Sequence, residues 1–176
     1  MHEILPDIRR WQADGERYAV ATVIATRRSA PRPVGAKLAV SEKGEMAGSV
    51  SGGCVENEVY GCAREVLEGA APRLLTYGIS DDLALSVGLP CGGEIDVFVE
   101  EPDEALTARI AEALEREERG VLLTVVDGEP VGARLLVLEN GERAGDGPPE
   151  LGEHVDDVLR GGRNRTLALE GRTVFA

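Results

Sequence analysis

The sequence predicts an α/β fold, in which helices pack on a mixed β-sheet built from two similar halves. Two observations predict it. Runs of β-branched residues alternate with stretches whose apolar residues recur every three or four positions, as buried strands and amphipathic helices require. Two blocks of sequence also recur at one constant offset, which indicates an internal duplication. No Gly-x-Gly-x-x-Gly pattern followed by an acidic residue occurs, so we expect no Rossmann domain.

Length and composition describe a soluble chain with an acidic surface. The 176 residues are 43% hydrophobic and 29% charged, with a formal net charge of −13. We expect a single domain over 1–176, with a first half over about 1–101 and a second, degenerate half over about 120–176. The acidic charge argues against nucleic-acid binding. No apolar run reaches the roughly 18 residues of a membrane span, and no signal peptide is evident, so we expect a cytoplasmic protein without a membrane partner.

Each predicted element follows from its local pattern. Gly15 ends the first stretch of helical spacing, and β-branched runs mark the strands. Two prolines and a glycine keep 27–35 as a loop. In order, we expect a helix over 4–11, strands over 19–26, 37–41 and 46–50, a helix from residue 54, a strand over 73–77, a short helix over 80–87, a strand over 94–100, a helix from residue 102 and a strand over 121–126.

The stretch 48–56, Gly-Ser-Val-Ser-Gly-Gly-Cys-Val-Glu, is where we expect the chemistry. A strand enters a turn made by Ser51, Gly52 and Gly53, and helical spacing begins at Cys54. Glycines adopt positive φ and let a ligand approach the backbone. The first N–H groups of a helix have no intrahelical partner, and their partial positive charge favours the thiolate of Cys54. That thiolate is either a nucleophile or a ligand for a soft metal.

A second cysteine has a similar setting. Cys91 is followed by Gly92 and Gly93 and precedes a predicted strand. We therefore expect both glycine-flanked cysteines to face one pocket, the alternative being two buried thiols beside structural turns. Cys62 lies on the apolar stripe of its helix, and we interpret it as a core residue.

The loop over 27–35 also carries the one local cluster of positive charge. It holds Arg27, Arg28 and Arg32, and Lys37 follows it. Two interpretations stay open: the arginines are solvated and paired with carboxylates, or they form an anion clamp for a phosphate group.

The repeat relates the two halves of the chain. Residues 34–38 match 131–135, and 42–48 match 139–145, both at an offset of 97 residues. A weaker match at a shorter offset relates 96–98 to 173–175. The second half has Asp-Gly-Pro-Pro where the first has Ser49 to Gly52, and it has no cysteine. The first half therefore keeps the chemistry and the second keeps the scaffold.

Several reaction classes lack the residues that they need. A Cys-His pair needs a histidine, and the chain has only His2 and His154. The cysteine spacings do not fit a structural zinc site, and no P-loop occurs. Three cysteines in a chain without an export signal do not indicate a disulfide framework.

Three motifs, in order, resemble the XdhC/CoxI family, whose members are accessory proteins for xanthine dehydrogenase and related molybdenum hydroxylases. They are Ser-Ala-Pro-Arg-Pro-Val-Gly-Ala-Lys at 29–37, the stretch 48–56, and Gly-Leu-Pro-Cys-Gly-Gly at 88–93 with Val-Phe-Val-Glu at 97–100. The resemblance covers about 19–101 and is much fainter from residue 121 onward. Longer family members add a C-terminal Rossmann-like domain, before which this chain stops.

The resemblance implies a chaperone without turnover of its own. Such a protein binds the molybdenum cofactor (molybdopterin) transiently and protects it while a cysteine desulfurase helps install the terminal sulfur. It then delivers the cofactor to the apo form of the molybdenum hydroxylase. A separate Rossmann-domain polypeptide and a second copy of the chain are further expected partners.

The resemblance also implies the site residues. Cys54 and Cys91 would be the metal ligands, because a thiolate suits a thiophilic metal. The other cofactor-binding residues would be Ser51, Gly52, Gly53, Gly92, Gly93, Arg32 and Lys37, with the glycine N–H groups and the two cations holding the phosphate. Two alternatives stay open: an enzyme of sulfur or acyl transfer with Cys54 as nucleophile, or an adaptor that docks through its acidic face.

Overall fold

The computed structural model describes residues 1–78 and 93–176. The chain forms two compact units, Met1–Glu101 and Pro102–Ala176. The boundary coincides with the end of the predicted first half. The expectation that 1–176 forms one domain stays a prediction. Within the described residues, no helix is both long and apolar enough to cross a bilayer.

The first unit is a five-stranded sheet with a helix on each face. Its strands lie in the order β3-β2-β1-β5-β4, and each pair of neighbours is antiparallel. The elements in chain order are α1 (Leu5–Ala13), β1 (Tyr18–Arg27), β2 (Lys37–Ser41), β3 (Met46–Gly48), α2 (Glu56–Leu67), β4 (Arg73–Tyr77) and β5 (Glu94–Glu100).

The two faces of this sheet bury different sets of side chains, because successive residues of a strand point to opposite faces. One face packs on the apolar stripe of α2, and its strand residues include Ala21, Val23 and Leu38. The other face packs on α1, whose Ile8 and Trp11 are fully buried. This alternation later decides which of the predicted site residues share a face.

The second unit has the same architecture. Its strand order is β8-β7-β6-β10-β9, again with antiparallel neighbours. The elements are α3 (Glu104–Glu115), β6 (Gly120–Asp127), β7 (Arg134–Leu138), β8 (Arg143–Gly145), a 3₁₀ helix (Pro149–His154), α4 (Val155–Gly161), β9 (Thr166–Leu169) and β10 (Arg172–Phe175).

Matching irregularities in the two sheets are consistent with an internal duplication. In the first unit the register between β1 and β5 shifts between Val23 and Ala25, which leaves Ile24 as a bulge. In the second unit the register between β6 and β10 shifts between Val125 and Asp127 in the same way. The weak match of 96–98 to 173–175 therefore coincides with equivalent positions on β5 and β10.

Three expectations differ from the observed fold. The chain forms two separate antiparallel sheets instead of one mixed sheet, because strand direction depends on long-range pairing that local patterns do not encode. The strand expected over 46–50 ends at Gly48. The helix expected from Cys54 begins at Glu56. The short helix expected over 80–87 lies outside the described residues.

Equivalent glycines end β3 and β8, and we predict that both are required for stability. Gly48 and Gly145 have positive φ, and a Cβ on either would clash with a backbone carbonyl oxygen of the neighbouring strand. Gly48→Ala and Gly145→Ala should each lower the free energy of unfolding by more than about 1 kcal/mol. Urea unfolding followed by circular dichroism measures this change.

Gly61→Ala is the matched control, because Gly61 is an exposed residue within α2 with open space around it. It should raise the free energy of unfolding by about 0.5–1 kcal/mol. The same experiment tests the single-domain expectation. If 1–176 unfolds as one domain, both destabilising variants shift the same transition, whereas two transitions, each shifted by one variant, would contradict it.

Candidate functional site

One end of the first sheet gathers the segments that carry the sequence motifs. In the antiparallel register Lys37 pairs with Thr22, so β2 begins where β1 ends, and Gly48 ends β3 at the same place. Arg27 at the end of β1 pairs with Glu94 at the start of β5. The loop over 28–36, the loop over 49–55 and the beginning of β5 therefore meet at this end.

Two close approaches connect these segments. A Cβ on Gly52 would lie 4.0 Å from the Cβ of Pro31. A Cβ on Gly93 would clash with the carbonyl oxygen of Ser29, so only glycine fits there. Ala30, between Ser29 and Pro31, packs against the α2-side core, as Cys54 does. The proline-rich loop thus contacts both glycine motifs.

The second unit lacks this extra chain at the equivalent end. The backbone of Val23 bonds to Ala36, and that of Val125 bonds to Ala133, so 24–35 in the first unit corresponds to the shorter 126–132 in the second. Residues 78–93 connect β4 to β5, whereas only 170–171 connect β9 to β10. The chain added to the first unit is therefore concentrated where its motifs lie.

The loop before α2 is organised around the carboxylate of Glu56. Its Oε1 accepts hydrogen bonds from the Ser49 hydroxyl (2.7 Å) and the Ser51 amide (2.9 Å). Its Oε2 accepts from the Gly53 amide (2.8 Å) and from the Ser51 hydroxyl. One side chain of the first helical turn thus fixes three residues of the turn that precedes it.

These hydrogen bonds keep the carboxylate charged. Partial burial opposes ionisation of Glu56, but the bonds from Ser51 and Ser49 outweigh it and lower its pKa to about 2. The carboxylate is therefore a permanent internal anion of the loop at any physiological pH.

The remaining loop amides also have partners. The amides of Cys54 and Val55 donate to the Ser51 hydroxyl oxygen at 3.0 and 2.9 Å, and the amide of Gly52 donates to the Ser49 hydroxyl oxygen at 2.9 Å. From the sequence we expected these amides to point at a ligand. In the structure they bind side chains of the loop itself.

Cys54 lies two residues before α2 and is half-buried. Its side chain packs against the core cluster on the α2 side of the sheet. The flanking Gly52 and Gly53 both have positive φ and are exposed, as the glycine motif predicted. The loop thus holds a partly accessible thiol beside open backbone, and a soft sulfur donor of this kind suits a thiophilic metal.

The two predicted cations have partners of their own. Arg32 Nη2 donates to Glu3 Oε2 at 2.5 Å, while its buried Nε has no hydrogen-bond partner within residues 1–78 and 93–176. Lys37 Nζ donates to the Thr22 hydroxyl at 2.7 Å. Because Lys37 and Thr22 alternate with residues of the α2-side core, their side chains lie on the α1 face of the sheet. The structure therefore does not bring Lys37 together with Cys54.

The second cysteine motif is described only in part. Cys91 and Gly92 lie outside the described residues, so the predicted pairing of Cys54 with Cys91 stays a prediction. Gly93 lies at the candidate site, against Ser29. Among the residues the structure describes, no group of three or more His, Cys, Asp and Glu side chains is arranged to hold a metal ion.

Cys62 is a core residue, as its helical position predicted. It is 8% exposed in the α2-side cluster, and burial raises the pKa of its thiol. A buried, protonated thiol is a poor nucleophile and a poor metal ligand, so Cys62 does not compete with Cys54 for the proposed chemistry.

Two groups that support the site were not predicted from the sequence. The first is Glu56, which lies within the motif at 48–56 and for which we predicted no role, although an acidic residue in the first turn after a serine-rich loop is a known capping signal. The second is Asp96, which is nearly buried. Arg27 donates to both of its oxygens, at 2.9 and 3.3 Å, and Thr76 donates to Oδ1 at 2.9 Å. This pair anchors the start of the proline-rich loop.

Comparisons with known proteins match the motif-bearing part of the chain. A family model described as "XdhC and CoxI family" matches residues 11–78. A protein of Bacillus subtilis that is named as a probable subunit of xanthine dehydrogenase is 28% identical over 130 residues, which are 73% of this chain and 39% of that protein. A "Molybdenum cofactor insertion chaperone PaoD" of Escherichia coli is 37% identical over 81 residues, 46% of this chain and 25% of that protein.

A solved structure shares the fold. A crystal structure of a xanthine dehydrogenase from Bacillus halodurans superposes with a TM-score of 0.64 at 24% sequence identity, covering 81% of this chain and 44% of that one. The chain thus spans less than half the length of each of these relatives. The matches confirm the resemblance that the motifs predicted: residues 11–78 of this chain match the XdhC and CoxI family.

Proposed function

We propose that this chain is a molybdenum-cofactor-binding accessory protein that protects the cofactor and delivers it to a xanthine dehydrogenase-type molybdenum hydroxylase, assisting its sulfuration. One observation carries the proposal. The half-buried Cys54 lies at the end of the first sheet where the longer 24–35 connection lies and β5 begins, and the second unit has a shorter connection there and no cysteine. The family match and the names of the relatives support the same class of function.

The role of Cys54 is that of a metal ligand. A thiolate binds molybdenum, and one or two thiolates make an open site from which a cofactor is released more readily than from a closed four-ligand cage. Cys91 is the proposed second ligand. The cofactor itself supplies the redox chemistry of the client enzyme, and this chain supplies only binding, orientation and protection.

Recognition of the cofactor's phosphate is assigned to Arg32 and the exposed backbone of Gly52 and Gly53. The buried Nε of Arg32 has no acceptor in the part of the chain that the structure describes, and a phosphate oxygen would supply one. The loop amides contribute less than the sequence suggested, because Glu56 and the serines already accept their hydrogen bonds. The proposed partners are the apo-hydroxylase and a cysteine desulfurase, with a Rossmann-domain protein and a second copy of the chain as further candidates.

The same hydrogen bonds weigh against the enzyme alternative. A sulfur- or acyl-transfer enzyme with Cys54 as nucleophile needs oxyanion donors beside the thiol. The sequence predicts the loop amides for that role. In the structure the amide of Gly53 donates to Glu56, and the amides of Cys54 and Val55 donate to the Ser51 hydroxyl oxygen. The structure thus favours a binding role for Cys54 over a catalytic one.

Replacing Cys54 should abolish retention of the cofactor. The protein is mixed anaerobically with molybdenum cofactor and desalted, and bound molybdenum is measured by mass spectrometry. Cys54→Ser should retain at least tenfold less molybdenum than the parent, because a hydroxyl is a poor ligand for a soft metal. Cys62→Ala is the control, since that thiol is buried, and it should retain parental amounts. Parental retention by both Cys54→Ser and Cys91→Ser would refute the site assignment.

Replacing Glu56 should release the loop. Glu56→Gln lowers the free energy of unfolding by about 1–3 kcal/mol at pH 7, because a neutral amide cannot accept from four donors as a carboxylate does. Glu58→Gln, an exposed position on the same helix, should change it little. In Glu56→Gln we also expect faster alkylation of Cys54, which reports loop mobility separately from global unfolding.

The pH dependence of this effect has a definite sign. Because folding lowers the pKa of Glu56 from 4.5 to about 2, its contribution is complete above about pH 4.5 and is lost as the pH falls through 2. The difference in stability between parent and Glu56→Gln should shrink over that interval. A difference that stays constant from pH 6 to pH 2 would show that the carboxylate is not held as described.

A further inference from the structure

The β2–β3 hairpin of the first unit is covered by two side chains of α2. The Tyr60 hydroxyl lies against the turn, where a Cβ on Gly44 would be 2.9 Å from it. Arg64, one helical turn further on, donates from Nη1 to the carbonyl oxygen of Glu42. An aromatic ring and a guanidinium group from one helix face thus complete this part of the first unit.

At the equivalent positions of the second unit an aspartate replaces the tyrosine, and the arginine binds within its own helix. Three buried positions of the helical segments recur at a spacing of 96 residues: Val55, Val59 and Cys62 in the first unit, and Leu151, Val155 and Val158 in the second. The same spacing places Asp156 at the position of Tyr60 and Arg160 at that of Arg64. Arg160 donates within its own helix, to the Asp156 carbonyl (3.2 Å) and the Asp157 carboxylate (2.7 Å), whereas Arg64 donates to a carbonyl of the hairpin.

An open groove of about 750 Å³ occupies this place in the second unit. It lies between the β7–β8 hairpin and the segment formed by the 3₁₀ helix and α4, and Val137, Val155 and Leu159 supply apolar surface. Gly141 is the counterpart of Gly44 at the hairpin turn. It has no atom within 4 Å of a Cβ position, so the surface that Tyr60 covers in the first unit is open here.

The charges around the groove favour a ligand with a positively charged group. The side chains of Glu153 and Asp156 have no ion-pair or hydrogen-bond partner among the described residues, and both line the groove. Of the three arginines in the lining, two form ion pairs, Arg119 with Glu139 at 3.1 Å and Arg160 with Asp157 at 2.7 Å. Arg143 donates to the Pro149 carbonyl at 3.3 Å, so two unpaired carboxylates face one arginine whose charge is not paired.

We propose that this groove binds a helical segment of a partner protein that presents an aromatic side chain and, one helical turn further on, an arginine or lysine. The aromatic ring covers Gly141 as Tyr60 covers Gly44. The cation pairs with the carboxylates of Glu153 and Asp156. It lies beside the hairpin, as Arg64 lies beside the Glu42 carbonyl oxygen to which it donates. This mode of helix-in-groove recognition is independent of the cofactor site and of the function proposed for it.

The probe is a synthetic peptide that copies residues 55–68 of this chain with Cys62 replaced by Ser, since that segment presents Tyr60 and Arg64 one helical turn apart. It is titrated into the full-length ¹⁵N-labelled protein and followed by NMR. The Gly141 amide should shift in a saturable way. Peptides that carry Tyr60→Ala or Arg64→Ala should bind at least tenfold more weakly, because each loses one of the two recognised groups.

Variants of the protein provide the controls. Asp156→Tyr places a ring in the groove from within, so it should raise the melting temperature and weaken peptide binding at least tenfold. Asp127→Tyr, at an exposed position on the opposite end of β6, should bind the peptide as the parent does. No saturable shift up to millimolar peptide, or unchanged binding by Asp156→Tyr, would overturn the proposal. A shift of Gly141 caused by inorganic phosphate but not by peptide would also overturn it and assign the groove to a small anion.

Discussion

The candidate site depends on a carboxylate that binds backward, from the first turn of α2 into the loop before it. Glu56 accepts from two serine hydroxyls and two loop amides, and this set of bonds determines where Cys54 stands. A loop with two exposed glycines would otherwise sample many conformations, because glycine loses the most backbone entropy on ordering. The Glu56 carboxylate thus gives the glycines a defined conformation, and the Cys54 thiol takes no part in its hydrogen bonds.

The two units share the features that form the sheet and differ in the segments that carry the sequence motifs. Both units share strand order, the glycines that end β3 and β8, and the bulge on the first strand of each sheet. They differ in the chain that connects those strands at one end, which is longer in the first unit and carries its motifs. The second unit also lacks the anchor, because the spacing of 96 residues places Gly152 where the first unit has Glu56. The loop after β8 therefore has no carboxylate that reaches back from the following helix, and its own Asp146 accepts from the Arg134 amide at 2.9 Å instead.

Local pattern predicted what depends on local chemistry. β-branched runs located β1 and β5, the constant offset related the two hairpins, and helical spacing placed Cys62 in the core. Strand direction, the division into two sheets and the side of the sheet on which Lys37 lies were not predictable, because each depends on pairing between distant segments. The helix start was misplaced at Cys54 because the hydrogen bonds of Ser51 and Glu56 extend the loop by two residues.

The bulge at Ile24 decides on which side of the sheet the arginine at the end of β1 projects. Beyond it, Ala25 pairs with Asp96 and Arg27 with Glu94, so the Arg27 guanidinium reaches Asp96 on the α1 side. A regular strand of the same sequence would turn that guanidinium toward the thiol's side. The second sheet has the same bulge at Val126 but no arginine beyond it. One inserted residue, present in both sheets, thus keeps a strong cation away from the sulfur and leaves that side of the sheet less positively charged.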